Sequence, residues 1–390
     1  MSHGTAPTRE FLIHGEVATR FLLRTSWLRP GLVFAGSIVI YLIVPILWSY
    51  SDGNLVGHVV ENDVYVEGFL SARNSYVFAL PFMFAAVINY YLNTTFVVDS
   101  LVSRGVLESI CTGDLHKLFA KHRHRWKTNT LTAIPAVVAI ALFIWFLLNH
   151  SHSGRSTTWL FYQKDAPRPI AYYYAAIVHG FAVYVLLSWG LLHFRASHKL
   201  HRIFKDKKRF RINLVVLHPD DCMGLGPISD MVRMTAGVLI AISFVLFMWQ
   251  VGVFYPILGE PGTLYSIWQS RIERLQRDHH TDLLNLPGMG TLAAWLGYCV
   301  FSPILFFAPL TSAREQMQLK KERILAELGF ELTRETTEDT ETKFKQYRLV
   351  QQARVWPFNV KTIASFIATL GTPLLLTLLT EFLKAILFEK

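Results

Sequence analysis

Apolar residues along this chain gather into seven long blocks separated by polar loops. The blocks run approximately Gly31–Ser49, Tyr76–Val98, Thr130–Asn149, Ala171–Phe194, Thr235–Leu258, Gly290–Leu310 and Thr362–Leu387. About 20 apolar residues at about 1.5 Å each cross the roughly 30 Å of bilayer hydrocarbon, so each block reaches the length of a transmembrane helix. Only helices and closed barrels satisfy their backbone inside lipid. The expected fold class is therefore all-α: a polytopic helical membrane bundle with about seven spans. Residues 31–310 form its six-span region and 362–390 a seventh span or re-entrant helix.

The polar segments add detail. Residues 1–30 form an amphipathic N-terminal segment in which Phe11, Leu12, Val17, Phe21 and Leu22 share a face. No secretory signal pattern is evident there, so the first span is expected to insert itself. After span 5, Leu264, Ile267, Trp268, Ile272 and Leu275 predict a short amphipathic helix. Residues 311–361 are mixed in charge and rich in helix formers, with a sparse stripe of Leu319, Ile324, Leu325 and Leu328. They are expected to carry span 6 onward as a helical arm, with a turn or a disordered stretch at the centre of Thr333–Thr342.

Charge fixes the expected orientation. The net charge is +10 and 17% of residues are charged, below the roughly 25% of soluble domains. Of 38 Lys and Arg residues, 29 lie in the N-terminal segment, the loops 99–129 and 195–234, and the arm. The three alternate loops hold seven, and Lys384 and Lys390 complete the count. Cationic loops resist translocation, so the N-terminus, both basic loops and the arm are expected in the cytoplasm. The basic balance reads as topology, with anionic lipid or nucleotide as an additional partner, and direct nucleic-acid binding is not expected. Cys111, Cys222 and Cys299 suggest neither a disulfide framework nor a metal knuckle.

Candidate chemistry concentrates in the loop 195–234. Residues 209–217 alternate in polarity and predict a strand. A turn dense in Pro and Gly follows, His218-Pro219-Asp220-Asp221-Cys222-Met223-Gly224-Leu225-Gly226-Pro227, with Ser229 or Asp230 expected to cap the next helix. A strand, a glycine turn and a helix N-terminus can cradle an anion on backbone N–H groups. His218, Asp220, Asp221, Gly224 and Gly226 are the candidate ligand-binding residues. The phosphate-loop spacing is absent. His116, His122, His124, His198, His201 and His218 all fall on the expected cytoplasmic side, and His198 and His201 have metal-sharing spacing. Dense histidine motifs are absent, so neither a metal nor a cofactor is expected. Within the spans the polar residues singled out are His179 and Gln250. No span carries a charge series of the kind used by proton relays or voltage sensors.

The run from His218 to Gly226, together with Trp356-Pro357-Phe358 before the last span, resembles a broad group of bacterial polytopic inner-membrane proteins without an established activity. Their pattern is His-Pro-Asp, two variable residues and Gly-Gly-Leu, with a later Trp-Pro-Phe-Asp. Met223 stands here for the first glycine and Asn359 for the aspartate. The resemblance implies a bacterial cytoplasmic membrane location and carries over no chemistry. Few intramembrane charges, large cytoplasmic elements and no catalytic signature lead to the expected function. That is an oligomeric channel or pore, gated from the cytoplasm and by class an antiviral defence effector, with a small cytosolic molecule or nucleotide as its ligand. A secondary transporter, or a membrane enzyme using the cytoplasmic histidines, remains the alternative.

Overall fold

The structure, a computed structural model, describes residues 30–51, 58–60, 64–66, 77–94, 97–109, 133–141, 144, 170–216, 218–220, 222–258, 289–334, 339–356, 366–367 and 371. The described chain is mostly helical. Helix α1 spans Pro30–Ser51 and starts on a proline, whose missing N–H costs nothing in a first turn. Strands β1 (His58–Val60) and β2 (Val64–Val66) form a small antiparallel ribbon. Helices α2 (Leu80–Thr94) and α3 (Val97–Ser103) lead to strand β3 (Leu107–Ser109). Helix α4 (Ile170–Lys205) is followed by strand β4 (Phe210–Ile212). Helix α5 (Gly226–Leu258), helix α6 (Met289–Arg334) and helix α7 (Asp339–Gln352) complete the order.

Among the described residues, five segments are long and apolar enough to cross a membrane: Pro30–Ser51, Val77–Ser103, Ile177–Lys205, Gly226–Met248 and Leu296–Thr333. They fall on the first, second, fourth, fifth and sixth apolar blocks, and the chain is a multi-pass helical membrane protein. The third block contributes the helical residues 133–141. Most of the seventh block lies outside the described residues. So do the amphipathic N-terminal segment before Pro30, the proposed helix at 264–275 and the turn at 335–338.

The packing is that of a bilayer protein, apolar inside and out. Helix α2 packs between α1 and α5, and α6 lies against α4 and α5. One cluster of buried side chains runs from Val87 and Trp189 through Phe204, Phe210 and Ile228 to Phe306 and Met317. A second gathers Tyr41, Met83 and Phe84 toward the other end. Large apolar residues such as Leu47, Phe82, Ile177 and Phe301 point outward, where lipid takes the place of water.

A reciprocal clasp joins α1 to α4. The middle of α1, Val39–Ile43, widens into a π-helical turn, which disturbs the regular backbone ladder. The Tyr41 hydroxyl from this turn donates to the Val178 carbonyl of α4 at 2.8 Å. In return Tyr174 of α4 donates to the Ile40 carbonyl. Trp48 meets Tyr174 edge-on at 5.7 Å between ring centroids, beside the same clasp.

Helix α6 contains 46 residues, or about 69 Å, more than twice the hydrocarbon thickness, so its second half must leave the membrane. That half pairs antiparallel with α7: Lys343 Nζ lies 3.3 Å from Glu331, and Lys321 reaches the opposite end of α7. Lys321 Nζ donates to the carbonyls of Gln351 and Ala353 at 2.6 and 2.8 Å. A cation bound to terminal carbonyls both satisfies orphan acceptors and opposes the negative end of the helix dipole. Just beyond, the Arg314 guanidinium sits 4.3 Å from the Trp356 ring centroid, which returns the chain to the bundle. Of the predicted arm stripe, Ile324, Leu325 and Leu328 are half-buried and Leu319 is exposed.

Replacing Lys321 with Met should remove about 1 kcal/mol of local stability from α7. Hydrogen exchange should quicken in Asp339–Gln352 while α2 and α5 stay unchanged; equal protection in α7 would refute the capping role.

Candidate functional site

Two polar assemblies lie toward the same end of the bundle. The outer one is built on the pairing of β3 with β4, in the register Leu107↔Ile212, Glu108↔Arg211 and Ser109↔Phe210. The Asn213 N–H extends it by donating to the Val106 carbonyl at 2.8 Å. The predicted strand over 209–217 is thus found in its first half. This pairing requires that the chain leaving α3 and the chain leaving α4 emerge on one side.

The glycine turn sits on this ribbon, and Asp220 organises it. Its Oδ1 accepts the N–H groups of Cys222 at 2.9 Å and Gly224 at 3.0 Å, and its Oδ2 accepts that of Gly226 at 2.9 Å. The Arg104 guanidinium from the end of α3 approaches Oδ2 at 3.5 Å. Both glycines leave room that a side chain would fill. Gly224 has φ +91°, and a Cβ there would lie 2.6 Å from Val106 Cγ2. A Cβ on Gly226 would lie 2.9 Å from Asp220 Oδ2 and 3.0 Å from Arg104 Nη1, in the space the carboxylate and guanidinium occupy.

The cap of α5 differs from the expected Ser229 or Asp230. The helix begins at Gly226, and its first N–H is held by Asp220 from six residues upstream. Asp230 instead pairs with Arg233 at 3.0 Å on the helix surface. The turn bends back on itself so tightly that the distant carboxylate arrives at the helix start first.

His218 Nδ1 lies 2.8 Å from Asp220 Oδ1 and 3.2 Å from the Asp220 backbone nitrogen. The Asp220 backbone N–H donates to Nδ1, and the carboxylate lies beside the same ring nitrogen. Partial burial pushes the Asp220 pKa up. Donation from Gly224, Cys222 and Gly226, with His218, outweighs that, and the carboxyl is held below its ordinary value. The structure thus brings His218, Asp220, Gly224 and Gly226 together. Asp221 lies outside the described residues. The backbone donors that suggested an anion cradle are engaged by the chain's own carboxylate, with His218 and Arg104 beside it.

The inner assembly centres on His193, a residue the sequence pattern did not single out. It is fully buried on α4. Its Nε2 lies 2.6 Å from the Leu305 carbonyl of α6, and its Nδ1 lies 2.8 Å from the Tyr90 hydroxyl of α2. The hydroxyl of Thr235 on α5 stands 3.3 Å from Nδ1 while donating to Met231. A carbonyl can only accept, so Nε2 carries the proton and Nδ1 accepts from Tyr90. The ring is the neutral tautomer, stacked on Trp189 with centroids 5.9 Å apart.

The acceptor on α6 has a definite origin. Pro309 lies inside α6 and has no N–H, so the carbonyl four residues earlier, that of Leu305, loses its helical donor. His193 supplies the replacement. One imidazole therefore ties α2, α4, α5 and α6 together at the weak point of α6. A sequence signal existed: a histidine inside one apolar block and an internal proline in another.

His179 is half-buried on α4. Gln250 falls within α5, and its side chain is outside the described residues. His198 is exposed and His201 half-buried. His116, His122 and His124 lie outside the described residues. Among the described residues no three His, Cys, Asp or Glu side chains form a metal-holding group. Comparison with protein-family models, curated proteins and solved structures gives no match.

Two outcomes are expected. A depressed carboxyl pKa stabilises the folded turn fully above the ordinary value, near pH 4, and that stabilisation is lost as pH falls through the lower folded value. Amide protection at Cys222, Gly224 and Gly226 should hold from pH 7 to 5 and collapse only below about pH 4; loss near pH 6 would show that another group controls the turn. His193→Leu should cost roughly 1–3 kcal/mol by orphaning the Leu305 carbonyl. Pro309→Ala restores a helical donor, so the same replacement in that background should cost at least about 1 kcal/mol less. Strict additivity in detergent unfolding would refute the link between proline and histidine.

Proposed function

We propose that this chain is the subunit of an oligomeric channel in a bacterial inner membrane. In this reading it has seven spans, a cytoplasmic N-terminus and an opening controlled from the cytoplasmic side. The observation that carries the reading is α6. One unbroken helix passes from a candidate span into the α6–α7 arm, with its interrupted backbone at Pro309 held by His193. Movement of the arm is delivered along a stiff helix to a point already short of one backbone hydrogen bond. Breaking the His193–Leu305 contact frees α6 to pivot, and remaking it restores the resting packing.

The Asp220 turn supplies the second half of the control. It fixes the start of α5, and α5 reaches Thr235 at the His193 assembly nine residues on, about 13 Å along the helix. A small cytosolic ligand, of which a nucleotide is the leading class, meets His218 and Arg104 at this turn and biases the same assembly. By class, such a permeabilising channel serves bacterial defence against phage.

The test is a planar-bilayer recording of the purified full chain, with and without cytosolic nucleotides. Stepwise conductance is expected, with opening increased in His193→Leu. Silence of parent and variant under all conditions would sink the channel reading. Saturable solute uptake without conductance steps would instead favour the secondary transporter.

A further inference from the structure

The outward face of α4 changes character along its length. Leu187 and Phe194 are 38% and 55% exposed, and with Leu191 they line one stripe of the helix. These side chains meet hydrocarbon. The same stripe continues with His198, Arg202 and Lys205, all exposed. No acidic residue occurs from Ile170 to Lys205. The first one, Asp206, lies 3.5 Å from Arg209.

The foot of the helix adds more cations on a rigid base. Ile203, Phe204 and Phe210 are each 2% exposed and fasten the segment to the core. The residues between them are turned outward, so Lys207, Lys208, Arg209 and Arg211 are exposed. Among the described residues Arg202, Lys205, Lys207 and Lys208 take part in no ion pair. The positive-inside rule asks only that such charges stay on one side. It does not ask that they be held on one surface, continuous with a lipid-facing stripe.

Height decides what this surface meets. If Phe194 marks the edge of the hydrocarbon, His198 rises about 6 Å above it and Arg202 about 12 Å. The headgroup layer is about 5–7 Å thick on each side. Side chains on a helix lean toward its N-terminus, which for α4 is back toward the bilayer. Long basic side chains therefore reach down into the phosphate layer from the face that already contacts lipid tails.

We propose that the α4 surface from His198 to Lys208 binds anionic phospholipids of the adjacent leaflet. Their phosphates lie between Arg202, Lys205, Lys207 and Lys208, and their tails lie along Leu187, Leu191 and Phe194. The surface stands apart from the His193 assembly and the Asp220 turn, so it holds whether or not the protein conducts ions. Through α4, which carries His193, bound lipid would set the resting position of the bundle.

The full chain, purified in uncharged detergent, is titrated with short-chain phosphatidylglycerol or phosphatidylcholine while its thermal unfolding is followed. Phosphatidylglycerol should raise the midpoint saturably, and phosphatidylcholine should not. Changing Arg202, Lys205, Lys207 and Lys208 to Gln should weaken the response by about fivefold per cation removed. Changing Lys320 and Arg323 on the arm to Gln should leave it intact. Should the four-site variant fail to fold, the parent itself decides the matter, because 0.5 M salt should abolish the phosphatidylglycerol response. Equal responses to both lipids, a four-site variant that behaves like the parent, or a salt-insensitive shift would overturn the proposal. A matching saturable shift from inorganic phosphate or ATP would also overturn it, in favour of a soluble anion.

Discussion

A backbone carbonyl inside a membrane bundle has no water to turn to, and Pro309 leaves one such carbonyl at Leu305. The packing of four helices follows from how that acceptor is satisfied. The donor must come from a neighbouring helix, it must be neutral to be tolerated there, and its other end must also be satisfied. An imidazole meets all three conditions with one ring. Its Nε2–H reaches α6, and its Nδ1 accepts from Tyr90 on α2, with Thr235 of α5 alongside. Deleting a methylene from a core loosens one contact. Deleting this ring would orphan a carbonyl and a phenol together.

The outer assembly solves a related problem by opposite means. Where the chain turns from β4 into α5, several backbone N–H groups converge, and a fixed anion is the economical partner for them. Asp220 is that anion, carried within the turn itself. The two glycines matter for the room they leave: Gly224 for the approach of Val106, Gly226 for the approach of the carboxylate. The result is a rigid start to α5 held by a charge, while the far end of the same helical stretch is held by a neutral network. Charge is used where water screens it and neutrality where lipid does not.

The chain's architecture was legible because the bilayer imposes a length, and length survives translation into sequence. The apolar blocks around Ile38, Val87, Val185, Val238 and Val300 all fall within helices of the structure. The strand at Phe210–Ile212 was legible from alternation, although its partner, Leu107–Ser109, was not, because three residues carry too little periodicity to read. The glycine turn was located correctly, but not its internal logic. Spacing shows that Asp220 and Gly226 are six residues apart and cannot show that the carboxylate bends back to meet the N–H. His193 escaped notice for a different reason. Its role depends on a missing N–H 116 residues later in the chain, and only packing brings the two together.

Helix α5 joins these two regions, and its stiffness has a consequence for any signal that arrives at the turn. Eight residues of regular helix separate Gly226 from Thr235, with Ile228, Met231 and Val232 fully buried between them. A displacement of the turn cannot be absorbed by side chains packed at crystal-like density, so it is passed on as a shift of the whole helix. Such a shift meets the Asn89 amide at Met234 and then the 3.3 Å approach of Thr235 to His193, the longest of the histidine's contacts to another helix. The 2.6 Å contact to Leu305 is the shortest. A movement that draws Thr235 closer competes with Tyr90 for Nδ1, and one that withdraws it leaves Tyr90 alone. The histidine is thus held most closely on the side of the interrupted helix and least closely on the side of the turn, so the two helices meet at one ring with unequal grips.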